Sequence, residues 1–188
     1  MTVLEQGQIQ IHTENIFPII KKAVYSGHEV FLRELVSNGT DAINKRRMAA
    51  MAGDCSEGDD GCINITVDRD AKTITIRDNG IGMTADEVKR YINQVAFSSA
   101  EDFLEKYKQE SDAIIGHFGL GFYSSFMVAK EVELVTRSAR PDSEAVRWVC
   151  DGSPAFQLES HSREEPGTDV ILHLMDEELE YLEPARLR

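Results

Sequence analysis

The stretch that decides the fold class is "INITVDRDAKTITIRD", residues 63 to 78. Apolar and polar side chains alternate in both halves, and the polar turn "DRDAK" separates them. Alternation with a period of two is typical of a half-buried strand, and two such runs around a short turn predict an antiparallel hairpin. We therefore expect an antiparallel sheet that buries one face.

Helix and strand patterns continue on the C-terminal side of this hairpin. After "DNGIGM", the segment "TADEVKRYI" (residues 84–92) begins with a Thr suited to a helix N-cap and has an acidic first turn. Three further runs, near 131–138, 145–150 and 167–174, alternate like antiparallel strands, and "MDEELEYLEPARLR" at the end starts another helix.

On the N-terminal side, residues 8–12 alternate like a short strand, and residues 14–26 and 28–50 have the pattern of two helices joined at Gly27. Neither internal repeats nor a strict β-α-β alternation occurs. This order predicts an α+β fold, a two-layer sandwich with helices on one face of a largely antiparallel sheet.

Length and composition indicate one globular domain over residues 1–188, with 41% hydrophobic and 28% charged residues. The last helix has an unfinished amphipathic pattern, so we expect a domain excised from a longer chain. The net charge of −13 argues against a nucleic-acid-binding surface. A small anionic ligand would instead depend on backbone N–H groups, helix N-termini or a metal.

The sequence shows no signal peptide and no apolar run of about eighteen residues, so no membrane span is expected. Cys55, Cys62 and Cys150 form no C-x-x-C pair. Free thiols in a reducing compartment, with the cytoplasm as the default, are the simplest interpretation.

A polar stripe runs along the helix that contains "ELVSNGTDA", residues 34 to 42. Glu34, Asn38, Asp41 and Lys45 are spaced by four, three and four residues, which places them on one helix face at the border of its apolar side. A solvated flank with weak charge pairs is one interpretation. The other is the wall of a pocket, because Asn38 adds nothing to a charge ladder and is a poor helix former.

Two glycine-containing motifs also allow both a structural and a ligand-binding interpretation. In "DNGIGM", Asp78 ends a strand and Gly80 and Gly82 let the backbone turn sharply; this is either a plain turn or a carboxylate placed to accept a ligand amine. In "IGHFGLGFYSSFMVA" (residues 115–129), three glycines precede an apolar helix. That arrangement suits anion binding or a simple loop before the helix, and it is neither a Walker P-loop nor a Rossmann fingerprint.

Together these motifs resemble the ATPases that group gyrase B, MutL, the sensor histidine kinases and the ninety-kilodalton heat-shock chaperones. "FLRELVSNGTDAINK", "DNGIGMT", "IGHFGLGFYSSFMVA" and "PGTDVILHL" are most similar to the N-terminal domain of the chaperones, of the bacterial HtpG type. The resemblance extends from about residue 7 to residue 182 and implies the Bergerat ATP-binding fold.

The resemblance also implies roles for individual residues. Glu34 would be the general base, Asn38 would coordinate Mg²⁺ on the ATP phosphates, and Asp78 would accept the adenine amino group. The remaining nucleotide contacts implied are Asp41, Gly82, Met83 and Thr168 around the base, Phe122 near the sugar and phosphates, Gly119 and Gly121 on the phosphates, and Lys45 at the entrance.

The chain departs from the family pattern in two places. Gly39 and Thr40 follow Asn38 where relatives have small Ala and Ser residues. In the ATP lid, expected to be mobile over residues 93–115, the usual "GTIAKSG" is replaced by "NQVAFSS" from Asn93 to Ser99. Phe97 thus stands where a lysine is usual, and we expect a lid whose closure differs from the usual one.

Three functions remain possible at this level. The first is an ATPase domain that drives client folding by a chaperone through lid closure; the second is a nucleotide-binding regulatory module with little hydrolysis. The third is a client-binding or dimerising domain without nucleotide. The resemblance implies weak hydrolysis by this domain alone, a mainly monomeric fragment, and a homodimer formed through an absent C-terminal domain. Neither nucleic acid nor membrane is an expected partner.

Overall fold

The computed structural model describes residues 27–56, 58, 60–93 and 121–187. The predicted strand at 8–12, the predicted helix at 14–26 and all of the predicted lid except Asn93 lie outside these residues. Within the described part, no helix is long and apolar enough to cross a membrane.

Among the described residues, six antiparallel strands form one sheet in the order β1-β2-β6-β3-β4-β5. The strands are β1 (Ile63–Asp68), β2 (Thr73–Asp78), β3 (Ala129–Arg137), β4 (Ala145–Cys150), β5 (Gln157–His161) and β6 (Gly167–Leu174). The predicted α+β sandwich is confirmed, as is the hairpin, in which Asp68 pairs with Thr73. The sequence analysis missed β5, because four of its five residues are exposed and no apolar alternation marks it.

In the described part of the chain, two α-helices and three short 3-10 helices accompany the sheet. They are α1 (Val30–Met51), α2 (Ala85–Tyr91) and the 3-10 helices Gly121–Met127, Asp176–Leu182 and Pro184–Arg186. Helix α1 ends just before Gly53, which adopts a φ of +80°. The N–H of Gly53 donates a hydrogen bond to the Ala50 carbonyl. Helix α2 begins as predicted, with a capping box between Thr84 and Glu87.

The predicted apolar helix before β3 is a 3-10 helix that stops at Met127. The hydroxyl of Ser124 donates to the Gly121 carbonyl at 2.6 Å, and that of Ser125 donates to the Phe122 carbonyl at 2.7 Å. These i to i−3 hydrogen bonds have the same spacing as the 3-10 repeat and accompany it here.

The core lies between the helices and one face of the sheet. Two apolar rows cross four adjacent strands at paired positions: Ile74, Leu172, Val132 and Cys150 in one row, and Ile76, Val170, Leu134 and Trp148 in the other. Phe31 and Leu35 of α1 belong to the same buried cluster. Burying this apolar surface is the main force that holds the helical layer on the sheet.

Candidate functional site

The next row on the core face of the sheet is polar. It contains Asp78 at the end of β2, Thr168 on β6 and Thr136 on β3, which are paired across the strands. All three are buried. Because buried polar groups are costly unless hydrogen-bonded, a polar row in the same layer as the core needs specific partners.

The Asp78 carboxylate is 7% exposed and accepts a hydrogen bond from the Gly80 amide at 2.8 Å. Burial raises the pKa of Asp78 to about 7, against the opposing effects of the Gly80 amide, the charge of Arg163 and the Thr168 amide. A carboxylate that is buried but only partly satisfied is suited to accept a further hydrogen bond from a ligand.

The turn after Asp78 depends on its two glycines. A methyl group on Gly80 would lie 2.5 Å from the carbonyl carbon of Ala42 in α1, so the turn touches the helix backbone. The Ile81 amide donates to the Ala42 carbonyl at 2.9 Å. Gly82 has a φ of +61°, and a methyl group there would overlap the Arg137 carbonyl. The D-x-G-x-G motif therefore lies wedged between α1 and the end of β3.

The other end of the candidate site is where α1 meets the 3-10 helix at Gly121. A methyl group on Gly121 would lie 2.7 Å from Glu34 Oε2 and 3.7 Å from Asn38 Nδ2. The Glu34 side chain is 29% exposed, and Nη2 of the exposed Arg33 lies 3.6 Å from its Oε1. A carboxylate, an amide and a bare backbone position thus meet in one place.

Helix α1 joins the two ends. Gly39, which follows Asn38, packs on β2, since a methyl group there would lie 3.4 Å from Asp78 Cβ. Asp41 is buried at 5% exposure. Lys45, one turn further along α1, interacts electrostatically with Asp41 and with Glu87 of α2. Burial lowers the pKa of Lys45 below its usual value, and the two carboxylates only partly oppose this effect.

Two more predicted residues contact the core around the site. The Met83 amide donates to Thr136 Oγ1 at 3.0 Å, which links the glycine turn to the polar row. Phe122, beside Gly121, is buried and meets the Trp148 ring edge to face, with 5.6 Å between ring centroids. Gly119, the other glycine predicted to bind phosphates, lies outside the described residues.

The structure therefore brings most of the predicted residues into two neighbouring groups. One group contains Glu34, Asn38, Gly121 and Phe122; the other contains Asp78, Gly82, Met83 and Thr168. Asp41 and Lys45 continue along α1 from the first group. The place of Lys45 at the entrance of the site stays a prediction.

The sequence-family model described as histidine kinase-, DNA gyrase B-, and HSP90-like ATPase matches residues 25–162, more than half of the chain. The chain belongs to this ATPase family. The match includes Glu34, Asn38 and Asp78, while Thr168 follows its last matched residue.

Bacterial chaperones are among the curated proteins that are similar to this HSP90-like ATPase domain. Chaperone protein HtpG of Bacteroides thetaiotaomicron is 54% identical over 184 residues, which is 98% of this chain and 27% of that protein. HtpG of Porphyromonas gingivalis is 51% identical over 97% of the chain, and HtpG of Streptomyces coelicolor is 44% identical over 94%. The chain spans about a quarter of the length of these relatives.

Sequence reasoning missed two positioning elements of this ATPase domain. Thr136 Oγ1 contacts the Gly167 carbonyl at 3.1 Å and the Thr168 hydroxyl at 2.9 Å, as well as the Met83 amide. Strand alternation would place Thr136 on the core face, but only cross-strand pairing shows its partner, Thr168. No local signal distinguishes it from an ordinary strand threonine.

The second missed element is an arginine behind Asp78. Arg163 donates from Nη2 to the Asp78 carbonyl at 3.3 Å, and its Nη1 lies 2.5 Å from Asp169 Oδ1. Arg77 holds the same Asp169 carboxylate through two hydrogen bonds. Arg163 lies in the connection from β5 to β6, far from Asp78 in sequence, so only the fold places this charge beside the polar row.

Proposed function

We propose that this domain binds ATP and ADP with Mg²⁺ and hydrolyses ATP, as the nucleotide-binding part of a chaperone that drives folding of client proteins through lid closure. The observation that carries the proposal is the approach of Gly121 to Glu34 and Asn38. It supports a site where bare backbone, one carboxylate and one amide converge, as phosphoryl transfer by positioning and charge neutralisation requires.

Each residue would act through its position. Glu34 is partly exposed, so it can accept a proton from water that it orients toward the γ-phosphate. Gly121 has no side chain, so its backbone amide can approach a phosphate closely. Gly119 would be the second glycine that binds the phosphates. Asp78 accepts the adenine amino group, with Thr168 beside it, and its burial makes that hydrogen bond selective.

The residues present fit a magnesium ion. Mg²⁺ prefers oxygen ligands and is usually held by few protein groups together with substrate phosphates. Asn38 provides an amide oxygen on the same helix face as Glu34, and its amide group lies close to the backbone of Gly121. When bound, the ion would neutralise charge on the phosphates. Asn38 is the residue that would hold it.

Further parts of the proposal concern the whole protein. The relatives are named chaperone proteins, which supports client proteins as partners. Homodimer formation through a C-terminal domain, a mainly monomeric fragment and weak hydrolysis by this domain alone follow from the family resemblance. A cytoplasmic location is supported by three free thiols, at Cys55, Cys62 and Cys150.

A second candidate function, a regulatory module with little hydrolysis, is favoured by one contact. Asn93, the first residue of the predicted lid, accepts a hydrogen bond from Trp148 Nε1 at 2.8 Å. The resemblance implies a glycine at this position, so the bond restrains a residue that is a flexible hinge in relatives. A restrained hinge would slow lid closure while leaving the nucleotide contacts in place.

Phosphate release by the full-length protein separates these candidates. If the domain is an ATPase, Glu34→Ala abolishes release while ADP binding by calorimetry is retained; the exposed Glu29→Ala serves as the matched carboxylate control. Equal rates for wild type and Glu34→Ala would exclude Glu34 as the base. Strong ADP binding with negligible release by the wild type would favour the regulatory module.

The third possibility, a domain without nucleotide, predicts a different result. In that case calorimetry detects no ADP binding with Mg²⁺, and Asp78→Asn behaves like the wild type. The site described above requires instead that ADP raises the melting temperature and that Asp78→Asn lowers this gain.

A further inference from the structure

Two glutamates and a histidine meet on the face of the sheet that points away from the core. Glu131 on β3 and His173 on β6 are directly paired, and Glu133 follows two residues along β3 on the same face. His173 Nε2 lies 2.5 Å from Glu133 Oε1 and 3.7 Å from Glu131 Oε1. One ligand atom from each of the three lies within 4.8 Å of the others.

This cluster is separate from the candidate nucleotide site. Its side chains alternate with Val132 and Leu134 of β3, which belong to the buried core. The polar row of Asp78 and Thr168 lies on that core face as well. The sheet therefore separates the cluster from the nucleotide site, and the two can be tested independently.

The ligand types suit a divalent transition metal. One imidazole nitrogen and two carboxylate oxygens are ligands that Zn²⁺ takes in proteins, with water in a remaining position. Tetrahedral Zn²⁺ with bonds of about 2.0–2.2 Å separates its ligand atoms by roughly 3.3–3.6 Å. His173 Nε2 is closer than this range to Glu133, at 2.5 Å, and slightly further than it from Glu131, at 3.7 Å. Small side-chain rotations would therefore bring both glutamates to the distances that bound Zn²⁺ requires.

Neighbouring residues already orient one of the ligands. Arg147 Nε donates to Glu133 Oε2 at 2.6 Å, which leaves Oε1 directed at His173. Burial raises the pKa of Glu133, but hydrogen bonds from Arg147 and His173 outweigh it and hold the pKa below its usual value. Arg147 therefore holds Glu133 with its other carboxylate oxygen facing the imidazole.

The local charge also favours a cation. Arg147 contacts Glu159 at 2.7 Å, so the group of Glu131, Glu133, Glu159 and Arg147 carries a net charge of −2 when His173 is neutral. Both strands that carry the ligands, β3 and β6, are paired on each side within the sheet. A rigid scaffold lowers the ordering cost of binding.

We propose that Glu131, Glu133 and His173 form a surface site for a divalent transition-metal ion, with Zn²⁺ as the ion expected. The site is distinct from any Mg²⁺ that accompanies nucleotide, because its imidazole ligand favours Zn²⁺ over Mg²⁺.

Zinc titration of the 188-residue chain, tag-free and treated with EDTA, tests this proposal by calorimetry and by the ring signals of the histidines in NMR spectra. His173→Ala and Glu131→Gln are each expected to weaken Zn²⁺ binding at least about tenfold. His161→Ala is the matched control, because His161 lies exposed on the same sheet face and belongs to no such three-residue group in the described part of the chain. It should bind Zn²⁺ like the wild type.

Several results would overturn the proposal. One is Zn²⁺ binding by His173→Ala and Glu131→Gln with wild-type affinity, and another is wild-type binding that disappears once exposed Cys62 is alkylated, which would assign the metal to thiols. An absence of any Zn²⁺-dependent shift in a wild-type histidine signal would be equally negative. Since Glu131 is half-exposed, Glu131→Gln is expected to fold and keeps the test valid if His173→Ala does not.

Discussion

Gly121 lies against the carboxylate of Glu34, so closely that a methyl group on its α-carbon would be 2.7 Å from Glu34 Oε2. The conflict is with the end of a flexible side chain, so the fold can accommodate it by moving Glu34. Gly121→Ala is therefore expected to reduce ATP hydrolysis at least about tenfold, since small displacements of catalytic groups are costly, with little loss of thermal stability.

The measurement is phosphate release together with thermal unfolding of the same samples. Gly27→Ala is a suitable control, because among the described residues a methyl group there would meet only the Glu29 carboxylate, at 3.3 Å. Unchanged hydrolysis in Gly121→Ala would show that the position of Glu34 is not critical to the reaction.

Asp78 makes stability depend on pH in the nucleotide-free domain. Burial raises the pKa of Asp78 from 3.8 to about 7, so the folded state keeps a proton that the unfolded chain has released. Its contribution to stability is full below about pH 4 and is lost as the pH rises through 7. The melting temperature of Asp78→Asn relative to wild type should therefore increase between pH 4.5 and pH 8.

Thermal unfolding at a series of pH values checks this, with Asp70→Asn in the exposed β1–β2 turn as the control. A difference between Asp78→Asn and wild type that stays constant, or moves in the opposite direction, contradicts the raised pKa.

Two glycines around the site should respond oppositely to alanine. A methyl group on Gly39 would lie 3.0 Å from Ile63 Cδ1, the end of a half-buried side chain that can shift. Because alanine is the better helix former, Gly39→Ala is expected to raise the free energy of unfolding by about 0.5 kcal/mol. In Gly80→Ala the new methyl group would clash with the Ala42 backbone, so this substitution should lower the free energy of unfolding by about 3 kcal/mol.

Urea unfolding curves of both variants decide the matter. Destabilisation of similar size in both would mean that Ile63 cannot move and that Gly39 is required by packing. In that case packing requires glycine at position 39, where the chain departs from the family pattern.

The hydrogen bond between Trp148 and Asn93 has a direct optical readout, because Trp148 is the only tryptophan in the chain. Its indole is 3% exposed, so Asn93→Ala leaves a buried donor without this acceptor. We expect a loss of about 1–3 kcal/mol in the free energy of unfolding and a change in tryptophan emission. Asn64→Ala on the exposed side of β1 is the control, and identical unfolding midpoints for the three proteins would refute the role of the bond.

Local patterns were enough to predict the architecture around the site. Alternation in residues 63–78 predicted the hairpin, and the Thr84 N-cap with its acidic first turn predicted the start of α2, because both depend on neighbours within a few residues. The same local reasoning failed for β5, whose position depends on pairing with β4 rather than on an apolar face. It also predicted an α-helix where the chain forms a 3-10 helix.

By itself the sequence determined which residue types are available: a polar stripe on α1, an aspartate followed by two glycines, and a glycine before Phe122. Tertiary structure alone decided which of them meet. Gly121 reaches Glu34 only because the 3-10 helix packs on α1, and Asp78 shares a row with Thr168 and Thr136 only through strand order β2-β6-β3. Such contacts join residues far apart in the chain, and long-range packing is set by burial of the whole core.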